Sequence, residues 1–308
     1  MEIFPADARV AFLGDSITHA NNFVTRVIAH YLSYFPEKHI VFRNAGVSGG
    51  SAASSELFLE DDLLPFGPTH VLIMLGVNDS RRDLLSHPQS KERDDSLEEG
   101  YQDYVFRMER LVKNLLSRGI KVILCTPAPY AEFFETGEPV LPGGHALILR
   151  YAEAVRALAS SLSLPVVDFH ARLSELYLDE PLYNPDRIHP NDRGQWRMAE
   201  CILRAQGLKI DPYTPIESVT EKAGLADWAA VTGRVRNLYA TEWMLVRDYS
   251  APLPRKLKIM EDYIAHESWN GFLYFEKLSR DYLADKPQQA ALEKEVDRLM
   301  EARVGSIS

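Results

Sequence analysis

Val10-Ala11-Phe12-Leu13-Gly14-Asp15-Ser16-Ile17-Thr18-His19 is an apolar run that stops in a glycine, a carboxylate and a hydroxyl before any helix can begin. An uninterrupted apolar run of this length reads as a buried strand. Asn21 and Asn22 then offer N-caps to a segment whose apolar residues, Val24, Val27, Ile28, Tyr31, Leu32 and Phe35, recur at helical spacing until Pro36. Ser16 therefore sits in a strand-to-helix turn, and Gly14 lets the chain bend tightly in front of it. In an open parallel sheet such turns lie at the carboxyl edge of the strands, where ligands bind. A serine that merely caps the helix fits the same turn, so the rest of the chain has to decide its role.

Outward from this stretch, four more strand patterns follow, at residues 39–44, 69–75, 120–125 and 164–169. The run Thr69–Leu75 is continuously apolar after His70 and reads as buried on both faces. Between the strands lie helical patterns. One is a short helix after the glycine-rich loop 45–51; one is a stripe through Tyr104, Met108, Leu111, Val112, Leu115 and Leu116 that Gly119 ends; one runs from about Ala146 to Leu162. A helix over 195–203 packs back on the sheet, with Gly207 as its end. Strands alternating with helices imply right-handed crossovers and a parallel sheet covered on both faces. From Asp211 onward no strand-like run appears, and four helical patterns rich in aromatics fill the remainder. The reading is thus a catalytic domain over residues 1–210 and an all-helical extension over 211–308.

Composition narrows the function class. The chain has 308 residues, 46% apolar and 25% charged, with a formal charge of −10; this is the balance of a globular domain with a sizeable core. The acidic balance argues against nucleic acid or anionic lipid as the main partner, since both need clustered Lys and Arg. Met1–Arg9 is short and mixed, so no export leader is expected, and no apolar run reaches membrane-spanning length. Cys125 and Cys201 make no metal spacing and no disulfide framework; buried thiols and a cytoplasmic location are the expectation.

Four loops at one edge of the expected sheet carry Gly14-Asp15-Ser16, Asn44-Ala45-Gly46-Val47-Ser48-Gly49, Gly76-Val77-Asn78-Asp79 and Asp186-Arg187-Ile188-His189. Acyl transfer needs a nucleophile, a base, a carboxylate that fixes the base's tautomer, and donors aimed at the developing oxyanion. Ser16, His189 and Asp186 would supply the first three. The backbone N–H groups of Ser16 and Gly49 and the side-chain amide of Asn78 would supply the last. A carboxylate three residues before an imidazole in a turn can fold back to accept from Nδ1–H, leaving Nε2 toward the serine. Pro190 discourages His189 from joining the following helix. Asp15 and Asp79 read as loop organisers. A competing nucleophile is Ser48, since Gly46-Val47-Ser48-Gly49-Gly50 satisfies Gly-x-Ser-x-Gly; choosing it leaves Ser16 and Asn78 without a role and offers no matching acid.

Taken together, the four blocks resemble those of the SGNH, or GDSL, hydrolases, over about residues 8 to 205 and in the family's order. The resemblance implies Ser16 as nucleophile, Asp186 and His189 as the rest of the triad, and Gly49 and Asn78 as oxyanion donors, with Gly49 preferred over Gly46 by its spacing from Asn44. It implies a flavodoxin-like three-layer α/β/α sandwich with a five-stranded parallel sheet, and neither metal nor organic cofactor. Here Ile17-Thr18 follows the Gly-Asp-Ser, with no departure that touches a catalytic role. The expected activity is hydrolysis of a short acyl ester, acetyl first, from an alcohol or a sugar hydroxyl. A longer-chain lipase or thioesterase is the second reading, and a silent scaffold working through its helical tail is the third. Tyr130, Phe133 and Phe134 flank the expected site as candidate substrate contacts, and residues 80–100 as a candidate lid. The aromatic helices after Asp211, with Trp228 and Trp243, are a candidate subunit interface.

Overall fold

In the computed structural model, which describes residues 1–20 and 22–208, five parallel strands form one sheet in the order β2-β1-β3-β4-β5. They are β1 (Arg9–Gly14), β2 (Val41–Gly46), β3 (His70–Met74), β4 (Lys121–Cys125) and β5 (Val166–Val167). This is the flavodoxin-like doubly wound order, which reverses direction on either side of β1. The resemblance is thus correct about the fold. Every residue of β3 is buried, as is every residue of β1 after Arg9, so continuous apolar runs are the right solution for strands covered on both faces.

The helices are α1 (Ser16–His19), α2 (Asn22–Tyr34), α3 (Ala52–Phe58), α4 (Lys91–Ser117), α5 (Gly144–Leu162), α6 (Phe169–Leu176) and α7 (Asp192–Ala205). Along the chain α2 packs on α7 and α7 on α6, while α3 packs on α4 and α4 on α5, giving one helical layer on each face.

Boundaries differ from the sequence reading where a side chain intervenes. The second strand begins at Val41, because His39 adopts a left-handed backbone (φ 52°) that no strand continues through. The fifth strand ends at Val167: Asp168 accepts a hydrogen bond from Ala171 N at 3.0 Å and an ion pair from Arg156, and so caps α6 at once. Residues 91–100, part of the stretch read as a candidate lid, are the first turns of the 27-residue α4, capped by Ser90 accepting from Arg93 N at 3.2 Å. What precedes them is a short 3-10 turn over Arg82–Ser86. Asn21 and the helical extension expected over 211–308 lie outside the described residues.

Candidate active site

Register decides which loops become neighbours. Gly14 pairs with Gly46 of β2 on one side and with Met74 of β3 on the other, so the three strands end abreast. The loop bearing Ser16 thus emerges between the loop bearing Gly49 and the loop bearing Asn78. This is the switch point of the sheet, the crevice where a doubly wound fold binds its ligand.

Close packing holds the Ser16 turn there. Asp15, only 1% exposed, accepts from Ile17 N through Oδ1 at 2.9 Å and caps α1. Burial pushes its carboxyl up to about 6. Asn44 donates to the carbonyl of Thr18 at 2.9 Å and accepts from Gly46 N at 2.8 Å, tying the end of β2 to α1. A Cβ on Gly46 would lie 2.4 Å from His19 N, so this contact requires glycine.

From the Ser16 hydroxyl a chain of hydrogen bonds runs outward. Ser16 Oγ stands 2.8 Å from His189 Nε2, and His189 Nδ1 stands 2.6 Å from Asp186 Oδ2. With Nδ1–H donated to the carboxylate, Nε2 is left to accept from the serine O–H. Asp186 Oδ1 also accepts from Ile188 N and His189 N, each at 3.0 Å. Partial burial works to raise the Asp186 carboxyl, but these bonds and the His189 charge outweigh it and hold the group below the usual carboxylate range.

The imidazole is carried by the chain just before α7, and α7 is pinned to the nucleophile side by a residue the sequence reading did not single out. Buried Gln195 donates through Nε2 to the carbonyl of Ile17 at 3.2 Å and accepts from Phe23 N through Oε1 at 3.2 Å. Arg26 on α2 adds two bonds to Asp192, one to its carbonyl and one to its carboxylate, each 3.0 Å. Asn191 caps α7 by accepting from Gly194 N at 3.1 Å. No local pattern announces such a glutamine, because its partners are 172 and 178 residues away in the chain.

On the other side of Ser16 the loop over residues 47–50 is hooked back onto the strand ends. Val47 N donates to the carbonyl of Gly14 at 2.9 Å, Gly50 N donates to the carbonyl of Val47 at 2.8 Å, and Gly49 takes φ 76° between them. Asn78 Nδ2 donates to the carbonyl of Gly50 at 2.9 Å, and Asp79 Oδ1 accepts from Ala52 N at 2.8 Å at the start of α3. Asp79 Oδ2 is shut away from solvent and unpartnered; burial first, with the Asp15 charge adding to it, pushes the carboxyl up to about 7. The backbone N–H groups of Ser16 and Gly49 donate to no acceptor among the described residues. Ser48 has no imidazole partner there, in contrast to Ser16.

The flanking aromatics divide. Tyr130 is 3% exposed and its phenol oxygen accepts from Leu141 N at 2.9 Å, so it props the loop from beneath and offers no open platform. Phe134 is partly buried against the core, whereas Phe133 stands 63% exposed. Among the described residues no group of three or more His, Cys, Asp or Glu is placed to hold a metal ion, and no helix is long and apolar enough to cross a membrane. Cys125 is buried and Cys201 half-buried, both as free thiols.

Comparison with known proteins gives a family and relatives that share the fold. A model of the GDSL-like Lipase/Acylhydrolase family matches residues 12–197, more than half of the chain. An acetylxylan esterase of Geobacillus stearothermophilus is 26% identical over 223 residues, 65% of this chain and 94% of that protein. Among solved structures, a gut microbial diltiazem-metabolizing enzyme superposes with a TM-score of 0.78 at 18% identity, over 99% of this chain and 96% of that one. A catalytic mutant of the Geobacillus stearothermophilus acetylxylan esterase superposes with a TM-score of 0.56 at 23% identity, over 68% of this chain and 98% of its own.

Proposed function

Because the chain belongs to the GDSL-like lipase/acylhydrolase family, we propose that it is a serine esterase removing a short acyl group, acetyl, from a hydroxyl of a carbohydrate. The observation that carries this reading is the unbroken chain from Ser16 Oγ through His189 to Asp186, at 2.8 and 2.6 Å. Its distant kinship to an acetylxylan esterase supports the acetyl group and the sugar, xylo-oligosaccharides first. Two solved forms of that relative are described as catalytic mutants, one at a serine and one at an aspartate, the residue types proposed here for nucleophile and acid.

In this mechanism His189 Nε2 takes the proton of Ser16 as Oγ attacks the ester carbonyl. The Ser16 and Gly49 N–H groups and Asn78 Nδ2 receive the oxyanion, two of them being donors without a protein acceptor. Asp186 keeps Nδ1 protonated and offsets the charge that forms on the ring. As the tetrahedral intermediate collapses, the carbon–oxygen bond to the alcohol breaks and the alcohol leaves with the proton from Nε2. Water then repeats the cycle on the acyl-serine, with His189 again as base, and releases the carboxylic acid.

The test is a panel of acetylated xylo-oligosaccharides set against chromogenic esters of increasing acyl length, together with labelling by a fluorophosphonate. Expected are modification at Ser16, a preference for acetyl over longer chains, and acetate release from the sugars. Best activity on long acyl chains would overturn the acetyl assignment; an intact protein unlabelled at Ser16 would overturn the esterase itself.

A further inference from the structure

Arg187 sits between the two residues proposed as acid and base, and its conformation is unusual. Its φ is 63°, a left-handed backbone that a residue with a Cβ adopts at a cost and keeps only where surrounding contacts hold it. The side chain turns inward, leaving the residue 6% exposed, yet no carboxylate pairs with it among the described residues. Instead the guanidinium is spread over backbone carbonyls of a single loop: Nη1 donates to Ala131 at 3.4 Å and to Phe134, and Nη2 donates to Glu138 at 3.1 Å. The main chain joins in, since Ala131 N donates to the carbonyl of Arg187 at 2.9 Å.

That loop is also held at both ends and at Phe133, whose ring centroid stands 5.8 Å from that of His145 and whose backbone N–H donates to the Tyr177 phenol. Glu132 accepts from Gly143 N and from His145 N, each at 2.9 Å, and so caps α5. Leu141 N is held by the Tyr130 phenol. Among the described residues, the side-chain hydrogen bonds from the turn that carries His189 to the middle of the loop, at Phe134 and Glu138, come from Arg187. A planar guanidinium spreads its donors over three nitrogens and so reaches carbonyls set apart along a loop, whereas the three donors of an ammonium radiate from a single nitrogen.

We infer that Arg187 is a positioning residue: through its bonds to the carbonyls of Ala131, Phe134 and Glu138 it makes the loop 131–138 and the Asp186–His189 turn one body. The loop thereby becomes the buttress that keeps His189 at bonding distance from Ser16. This rests on the esterase reading above, and its consequence is that damage to the clamp lowers the rate of chemistry at Ser16 without removing any group that touches substrate.

Arg187→Gly separates the clamp from the fold, because glycine takes φ near 63° without strain while the three side-chain bonds vanish. The rate of Ser16 modification by a fluorophosphonate, read by intact mass, is compared in wild type and variant, with circular dichroism to verify folding. Expected is a folded variant labelled at least about tenfold more slowly, with kcat for a small acetyl ester falling by a similar factor and KM little changed. Added ethylguanidinium should restore part of the rate, and ethylammonium at equal ionic strength should not. A folded variant labelled as fast as wild type overturns the inference and leaves the esterase reading standing. Wild type that is not labelled at all overturns both. Should Arg187→Gly not fold, Arg187→Lys takes its place: slow labelling supports the carbonyl clamp, and a wild-type rate in folded protein overturns it.

Discussion

Asn78 and Gly50 are joined across two loops: the side-chain amide of Asn78 donates to the carbonyl of Gly50 at 2.9 Å, which ties the end of β3 to the loop after β2. One N–H of the amide is engaged in this bond, leaving the other to point elsewhere. The same residue is a strut between the loops that flank Ser16, and the second N–H is the one available for the oxyanion role proposed for it.

Removing it should cost more than a donor alone. Asn78→Ala is expected to lower turnover of an acetyl ester on the order of a hundredfold or more, with a smaller effect on KM. Steady-state kinetics with a chromogenic acetate, on protein whose melting temperature is within a few degrees of wild type, would check this. An unchanged kcat would remove Asn78 from the oxyanion site.

The three residues of the hydrogen-bonded chain should not be equal. Ser16→Ala and His189→Ala are expected to abolish ester cleavage to the same floor, while Asp186→Ala retains more, because the carboxylate orients and stabilises the base without taking part in bond making. Ser48→Ala should retain most activity, since among the described residues no imidazole bonds its hydroxyl. Single-turnover assays of the four variants would check the order, and a dead Ser48→Ala with an active Ser16→Ala would reverse the assignment.

Stability should depend on pH through Asp79. Its carboxyl is raised to about 7 in the folded protein by burial and by the Asp15 charge, so the folded state holds a proton that the unfolded chain gives up near 4. The stability associated with that proton is fully present below the unfolded value and is lost as pH rises toward about 7. Asp79→Asn keeps an oxygen for Ala52 N and removes the titration. The variant should lose less stability than wild type between pH 5 and pH 8 and melt roughly 2–4 °C higher at pH 8, for each ~1 kcal/mol recovered. Thermal melts across that range decide it; parallel curves for the two proteins would exclude Asp79 as the source.

Gly46 is confined by backbone atoms close to the nucleophile. A methyl there would meet His19 N at 2.4 Å and the Thr18 carbonyl carbon at 2.7 Å, both backbone atoms that cannot rotate away. Gly46→Ala should push α1 off β2 at a cost of about 1–3 kcal/mol and slow labelling of Ser16 together with the drop in melting temperature. A variant as stable as wild type would show that α1 can shift freely. Gly119→Ala, where a Cβ meets nothing within 4 Å and only φ 77° is strained, is the control for backbone strain without crowding.

Much of this was legible in the chain because each piece is a local pattern. The run ending at Gly14, the apolar stretch before Gly76 and the stripe through Tyr104 to Leu116 each report how one segment divides its residues between core and water. The chemistry-bearing blocks were legible for a similar reason: Asp186 and His189 are three residues apart, and their bond closes within one turn. Where a strand end depended on a distant partner, as at Asp168 with Arg156, or on a positive φ, as at His39, the pattern ran on too far.

The sequence by itself determined the alternation of strands and helices, the set of residues able to perform acyl transfer, and the close spacing of acid and base, since these depend on side-chain types a few positions apart. Only the tertiary structure decided that Ser16 and His189, 173 residues apart, meet at 2.8 Å. That meeting follows from the register that sets Gly14 between Gly46 and Met74, from Gln195 bridging α7 to Ile17, and from Arg187 gripping the carbonyls of a remote loop. The physical reason is that backbone carbonyls and amides are the same at every position. Which of them a buried polar side chain will reach depends on how the chain has packed.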